Sequence, residues 1–211
     1  MEQKFIEFPK MPRLSREMII TEKLDGTNAS IIIESHPYDN VPSDPKIIAH
    51  LETEYPKKSD VLTMKVGSRT RWITPDDDNY GFATWIAQNK DDMFRLGPGQ
   101  HFGEWWGNGI QRGYGIKEKR FSLFNVGRWK INSFEEKGFQ APPKCCHIVP
   151  ILYKGMFDTA VVDEVIKDLA KNGSYAAPGF GRPEGIIVWH VAGNFGFKKT
   201  IEKDETPKSL Q

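Results

Sequence analysis

Short apolar runs recur along this chain, cut apart by glycine, proline and charged residues. They are "ASIIIE" (29–34), "KIIAHLE" (46–52), "MKVGSR" (64–69), "QHFGEWW" (100–106), "FSLFNVGRW" (121–129), "EGIIVWHV" (184–191) and "FGFK" (195–198). Such lengths suit half-buried or buried strands better than helices. Gly193-Asn194 can close a hairpin between the last two runs. Two stretches have helical spacing instead. Residues 77–94 place Phe82, Trp85, Ile86 and Phe94 on one side. Residues 159–173 place Val161, Val162, Val165, Ile166 and Leu169 in one stripe, with Lys171 in the last turn and Gly173 as a C-cap. The Pro/Gly-rich stretches 36–46 and 175–185 read as loops and lack the character of a domain linker. The expectation is one α+β domain, residues 1–211, rich in antiparallel strands with a few flanking helices.

A chain of 211 residues can bury a real core. Lys plus Arg is 29 and Asp plus Glu is 28, a net charge of +1, so global charge does not announce a nucleic-acid binder. One local excess exists: seven bases (Lys117, Lys119, Arg120, Arg128, Lys130, Lys137, Lys144) stand against three acids (Glu118, Glu135, Glu136). It reads equally as a solvated face or as a surface that tracks phosphates. The two cysteines, Cys145 and Cys146, are adjacent, which disfavours their pairing, and "CCH" (145–147) is too compact for a tetrahedral zinc site. Reduced, partly buried thiols and no structural zinc are expected. The N-terminus has no signal-peptide core, and no run of about 18 apolar residues occurs. The expectation is a soluble, cytoplasmic protein.

"TEKLDGTN" (21–28) sets one lysine at the edge of a strand, before an Asp-Gly turn. A protonated lysine is a poor nucleophile; desolvation or cationic neighbours make it a good one. Attack on phosphorus also needs charge neutralisation by further Lys or Arg groups, a divalent metal, and carboxylates to hold it. Alone, Lys-X-Asp-Gly is a weak signal. The remaining parts follow at later strand ends. Arg69 ends "GSR", and Glu104 precedes a glycine-punctuated loop carrying Gln111 and Arg112. Aromatics sit in "FSLFNV", Glu184 precedes "GIIVW", and Lys198 and Lys199 end "FGFKK".

With these motifs in this order, the sequence resembles the covalent nucleotidyltransferase superfamily of polynucleotide ligases and RNA capping enzymes. "TEKLDGTN", "FGEWWGNGIQRGYG", "EGIIVWH" and "FKKT" are most similar to the phage-type ATP-dependent RNA ligase family, over about residues 5–203. The resemblance implies a single nucleotidyltransferase (adenylation) domain with an ATP-grasp-like ligase core. It implies that Lys23 takes AMP as a phosphoramidate, and that Glu22 and Asn28 help seat the nucleotide. Asp25 would orient the lysine or its metal, and Arg69 would contact ribose or the donor phosphate. Glu104 would hold the ribose hydroxyls and, with Glu184, a divalent metal, Mg²⁺ or Mn²⁺. An aromatic of "FSLFNV" would stack on adenine. Lys198, with Lys199 less directly, would contact the α-phosphate.

The family's last motif alternates Lys-X-Lys, whereas Lys198 and Lys199 are adjacent and face opposite ways on a strand. Only one can reach the phosphate, and Lys198 follows Phe197 directly. Phe121 and Phe124 would fall on opposite strand faces, Phe124 fitting the family pattern better. Of Trp105 and Trp106, one is expected in the core and one toward nucleic acid. His101 and His190 read as satisfied core histidines. Arg71 and Trp72 could extend a substrate surface.

The implied activity joins a 5′-phosphate end to a 3′-hydroxyl end, through lysyl-AMP, on RNA ends or a nicked duplex. A monomer without a separate C-terminal or oligonucleotide-binding domain is expected. Other readings are an ATP-dependent DNA ligase, a GTP-using capping enzyme, or a non-catalytic nucleic-acid-binding relative. The nucleotide that labels the protein and the nick it seals would separate them.

Overall fold

The computed structural model describes residues 5–53, 60–129 and 141–204. By their internal contacts the residues form two compact units, Met1–Lys23 with Pro150–Gln211, and Leu24–Val149. Each is built on its own sheet. The chain begins the first sheet with β1 (Glu17–Lys23) and then leaves for the second unit.

That unit contains β2 (Thr27–Pro37), β3 (Ile47–Glu52), β4 (Asp60–Ser68), β5 (Trp72–Ile73), β6 (Gly99–Gly107), β7 (Lys119–Leu123) and β8 (Cys146–Ile148). The order is β3-β4-β2-β6-β7-β8, with β5 against β4. The described pairings are antiparallel except β7 with β8. Alternation decides the faces. Ala29, Ile31 and Ile33 of β2 point into a core shared with Met64, Val66, Trp105 and Phe121. Phe82 and Ile86 of α1 (Phe82–Gln88) and Met93 of α2 (Lys90–Met93) close that core.

The helical spacing over 77–94 is realised as these two short helices and a 3-10 turn, Phe94–Leu96. Tyr80 (φ 52°) and Gly81 (φ 79°) are left-handed, which delays the start. Asp78 caps it, accepting from the amides of Ala83 at 2.8 Å and Thr84 at 2.9 Å and from the Thr84 hydroxyl at 2.7 Å. β7 also ends earlier than "FSLFNVGRW" suggests: Leu123 is its last residue, and Phe124 lies in a bend beyond it.

The chain returns to the first unit with β9 (Ile151–Met156), α3 (Thr159–Asn172), β10 (Gly185–His190) and β11 (Phe195–Thr200). The strand order is β11-β10-β1-β9, all antiparallel. Asp158 caps α3 by accepting from the Ala160 amide at 2.8 Å, and Gly173 ends it at φ 83°. The stripe Val161, Val162, Val165, Ile166 and Leu169 packs on Met18, Ile20, Ile186 and Val188. That covers one face of the sheet. Fully burying one such Leu or Ile contributes about 1.5–3 kcal/mol. Among the described residues, no helix is long and apolar enough to cross a membrane.

Candidate active site

Lys23 is the last residue of β1 and pairs in register with Gly185, the first residue of β10. The register sets Glu184 beside it: the Lys23 Nζ donates to the Glu184 Oε2 at 2.5 Å. The two side chains are only 20% and 6% exposed, so the pair is poorly screened by water. Gly185 is required because a Cβ there would run into the Lys199 carbonyl across β11. The "EG" of "EGIIVW" thus combines a carboxylate with a close strand approach.

Register also sorts the two lysines of β11. Lys198 pairs with Ile187, and Ile187 with Thr21, so Lys198 lies on the Lys23 face. Lys199 pairs with Ile186 on the α3 face, where its Nζ meets the Asp163 Oδ1 at 2.7 Å. That contact holds the Asp163 carboxyl below its ordinary range.

Glu22 likewise turns away from Lys23, toward the side of Met18 and Ile20. It is 1% exposed. Its carboxylate accepts from the Ser174 hydroxyl at 2.6 Å and from the amides of Tyr175 and Ala176 at 2.9 Å each. Burial pushes its pKa up, and these three hydrogen bonds offset only part of that. The residue beside the lysine therefore anchors the segment leading from α3 toward Glu184.

In the other unit, the Asp-Gly turn is held from three sides. The Asp25 Oδ2 accepts from the Arg112 Nε at 2.9 Å, and the Asp25 amide donates to the Tyr114 hydroxyl at 2.8 Å. The Gly26 amide donates to the Glu104 Oε1 at 3.1 Å. A Cβ on Gly26 would lie 2.7 Å from the Trp106 Cβ and would strike the Trp105 carbonyl, so close approach dictates this glycine. Arg112 and Tyr114 come from the glycine-punctuated loop after β6, where Gln111 (φ 45°) and Tyr114 (φ 54°) are left-handed. The Nε of Arg112 is committed to Asp25. The only signal for Tyr114 was its place between two glycines.

Asn28 faces Glu104 across β2 and β6. On the same side, Phe102 is 46% exposed, and its carbonyl accepts from the amide of Phe124, 39% exposed. Phe121 is fully buried in the core. Of the two phenylalanines, only Phe124 is therefore accessible to a base, and Phe102 adds an aromatic that the sequence did not single out. Trp105 and Trp106 are both 1% exposed, which corrects the expectation that one faces nucleic acid. Trp105 joins the core, while Trp106 lies under Tyr114 at 4.9 Å and donates to the Ser122 hydroxyl at 2.9 Å.

Arg69 is exposed just past the end of β4. Its neighbour Arg71 is tied to Asp77 at 2.6 Å, and Lys65 sits over Trp72 at 5.5 Å. His101 and His190 are buried, bonded to the carbonyls of Gly97 at 2.9 Å and Leu14 at 2.8 Å. Of the basic excess, Lys119 is spent on the Tyr80 carbonyl and Arg120 on Glu118. Lys130, Glu135, Glu136 and Lys137 lie outside the described residues. Among the described residues both cysteines are free, and no group of three or more His, Cys, Asp or Glu side chains could hold a metal.

A family model described as RNA ligase matches residues 16–203. Among solved structures, the Naegleria gruberi RNA ligase E227A mutant with ATP and Mn is 19% identical, covers 90% of this chain and 51% of its own, and has a TM-score of 0.51. The same ligase with PPi is 18% identical, covers 94% of this chain and 57% of its own, and has a TM-score of 0.47. The chain spans about half the length of these relatives. No curated protein sequence matches it.

Proposed function

The chain belongs to the RNA ligase family, and from that premise we propose that it is an ATP-dependent RNA ligase whose nucleophile is Lys23. One observation carries this reading. The Lys23 amine is held 2.5 Å from the buried Glu184 carboxylate, on the sheet face that also carries Lys198. An ammonium has no lone pair to offer, so attack requires its proton to leave, and Glu184 is the acceptor at hand. The freed nitrogen attacks the α-phosphorus of ATP; the N–P bond forms, the bond to the β-phosphate bridge oxygen breaks, and pyrophosphate departs. Lys198 supplies positive charge at the α-phosphate on the same face. AMP then passes to a 5′-phosphate end, and a 3′-hydroxyl displaces it to join the strands. Orientation and charge neutralisation do most of this work.

In the other unit, Arg112, Tyr114 and Glu104 fix the turn that follows Lys23. We assign Glu104 to the ribose hydroxyls, Asn28 to seating the nucleotide, and Phe124 to the adenine face. Arg69 is assigned to the donor phosphate or ribose. Glu22 acts through the segment it anchors rather than on the nucleotide.

A divalent cation fits this donor set. The buried carboxylate of Glu184 is the kind of single acidic ligand that Mg²⁺ takes beside substrate phosphates, keeping several waters. Glu184 would hold it, and the cation would neutralise the triphosphate charge. The Naegleria ligase was solved with ATP and Mn, in keeping with that assignment.

The test is incubation with α-labelled ATP and Mg²⁺, then denaturing electrophoresis. Wild type should carry label that survives denaturation. Lys23→Ala should carry none while keeping its circular dichroism spectrum, and Lys23→Arg should fail too, because a guanidinium stays protonated. Full labelling of Lys23→Ala would refute the assignment.

A further inference from the structure

We propose that Trp189 is a stacking platform for a base of the RNA being sealed, an inference that rests on the ligase reading above. The register sets the geometry. α3 covers the face carrying Met18, Ile20, Ile186 and Val188. On the opposite face the rows run Lys23–Gly185–Thr200, then Thr21–Ile187–Lys198, then Lys154–Ile19–Trp189–Gly196. Trp189 thus shares the face of the nucleophile. It lies four residues along β10 from Gly185, about 13 Å at the usual strand rise.

Sheet packing normally hides an indole, yet Trp189 is 40% exposed. Its orientation has a local cause. Gly196 is its cross-strand partner, and a Cβ there would lie 3.1 Å from the Trp189 Cε3 and 3.4 Å from its Cζ3. The missing side chain lets the indole approach the backbone of β11 at Gly196. Lys198 is two residues along β11 on the same face, and Lys154 flanks the row on the other side. Glu17 also lies on this face, 3.9 Å from Lys154.

An aromatic surface flanked by lysines suits single-stranded nucleic acid, where bases stack and the backbone follows the cations. A protein partner would use the same indole together with Ile19 and Ile187 beside it, but the lysines of β9 and β11 on this face favour a polyanion. The offset from Lys23 places the contact on a nucleotide back from the reacting end, outside the ATP site. Trp189 is therefore a substrate-binding residue, not a catalytic one.

Three readouts on Trp189→Ala and Trp189→Phe test this. They are AMP labelling with ATP alone, sealing of a pre-adenylated RNA donor, and binding of a single-stranded RNA by fluorescence anisotropy. Trp189→Ala should label like wild type, yet seal and bind about tenfold less well, the usual worth of one stacked base. Trp189→Phe should recover most of the loss. Unchanged sealing and binding in Trp189→Ala would overturn the proposal, and would mean that the face serves another partner. Loss of AMP labelling would overturn it too, by showing that the ring supports the nucleotide site or the fold. If wild type itself takes no label from ATP, the ligase reading fails first.

Discussion

Lys23 and Glu22 are neighbours in sequence with opposite surroundings. One faces a carboxylate on the sheet face opposite α3; the other is a carboxylate buried among amides and a hydroxyl. The cost of burying Glu22 gives a pH signature. Its folded-state pKa is raised, chiefly by burial, so the folded protein keeps this proton to higher pH than the unfolded chain. Its contribution to stability is fully present below about pH 4.3, and falls as pH rises through the folded pKa. Glu22→Gln keeps an acceptor for the Tyr175 and Ala176 amides and cannot ionise. Denaturant unfolding at steps from pH 4 to pH 8 should show wild type losing ground to Glu22→Gln as pH rises. A gap between the two that is constant with pH would disprove the buried-carboxyl account.

Among the elements, α1 depends on a cap outside its own first turn. Gly81 offers no side chain, and Asp78 reaches past it to the Ala83 and Thr84 amides. Burial alone would raise the Asp78 pKa, but the bonds from Thr84, Ala83 and Asn79 outweigh it and hold the carboxyl below its ordinary range. Asp78→Ala should destabilise the protein by about 1–2 kcal/mol at neutral pH, measured as a lower denaturant midpoint. The sign with pH is opposite to that of Glu22. The cap's contribution is present above about pH 4 and is lost as pH falls through the lowered pKa. The difference between wild type and Asp78→Ala should therefore shrink in acid; a difference that grows would contradict the capping assignment. The helical spacing over 77–94 was legible because apolar periodicity is a local property. The break at Asn89 and the late start were not, because left-handed Tyr80 is stabilised by its surroundings rather than by its own propensity.

For the whole molecule, charge balance is the governing fact. The net charge is +1, and two bases of the 117–144 excess, Lys119 and Arg120, are spent on internal partners. A triphosphate approaching Glu184 meets a carboxylate, so excess chelator should abolish AMP labelling and added Mg²⁺ restore it. Undiminished labelling in chelator would remove Glu184 from the metal assignment. The runs that became β2, β3, β4, β6, β7, β10 and β11, the helix α3 and the order of the motifs around Lys23, Glu104, Glu184 and Lys198 could be read from the chain alone; β1, β5, β8 and β9 could not. Apolar runs, caps and glycine turns act within a few residues, and so does the link between a motif and its chemistry. Tertiary structure decided which side each residue serves. Alternation says that Lys198 and Lys199 diverge, but only pairing with β10 and the position of α3 say which of them shares the Lys23 face. The early end of β7 leaves Phe124 accessible while Phe121 fills the core. Tyr114, folding back from a distant loop, hides Trp106 and grips the amide of Asp25. Each outcome depends on residues far apart in sequence being brought together by strand register and packing, which no local pattern encodes.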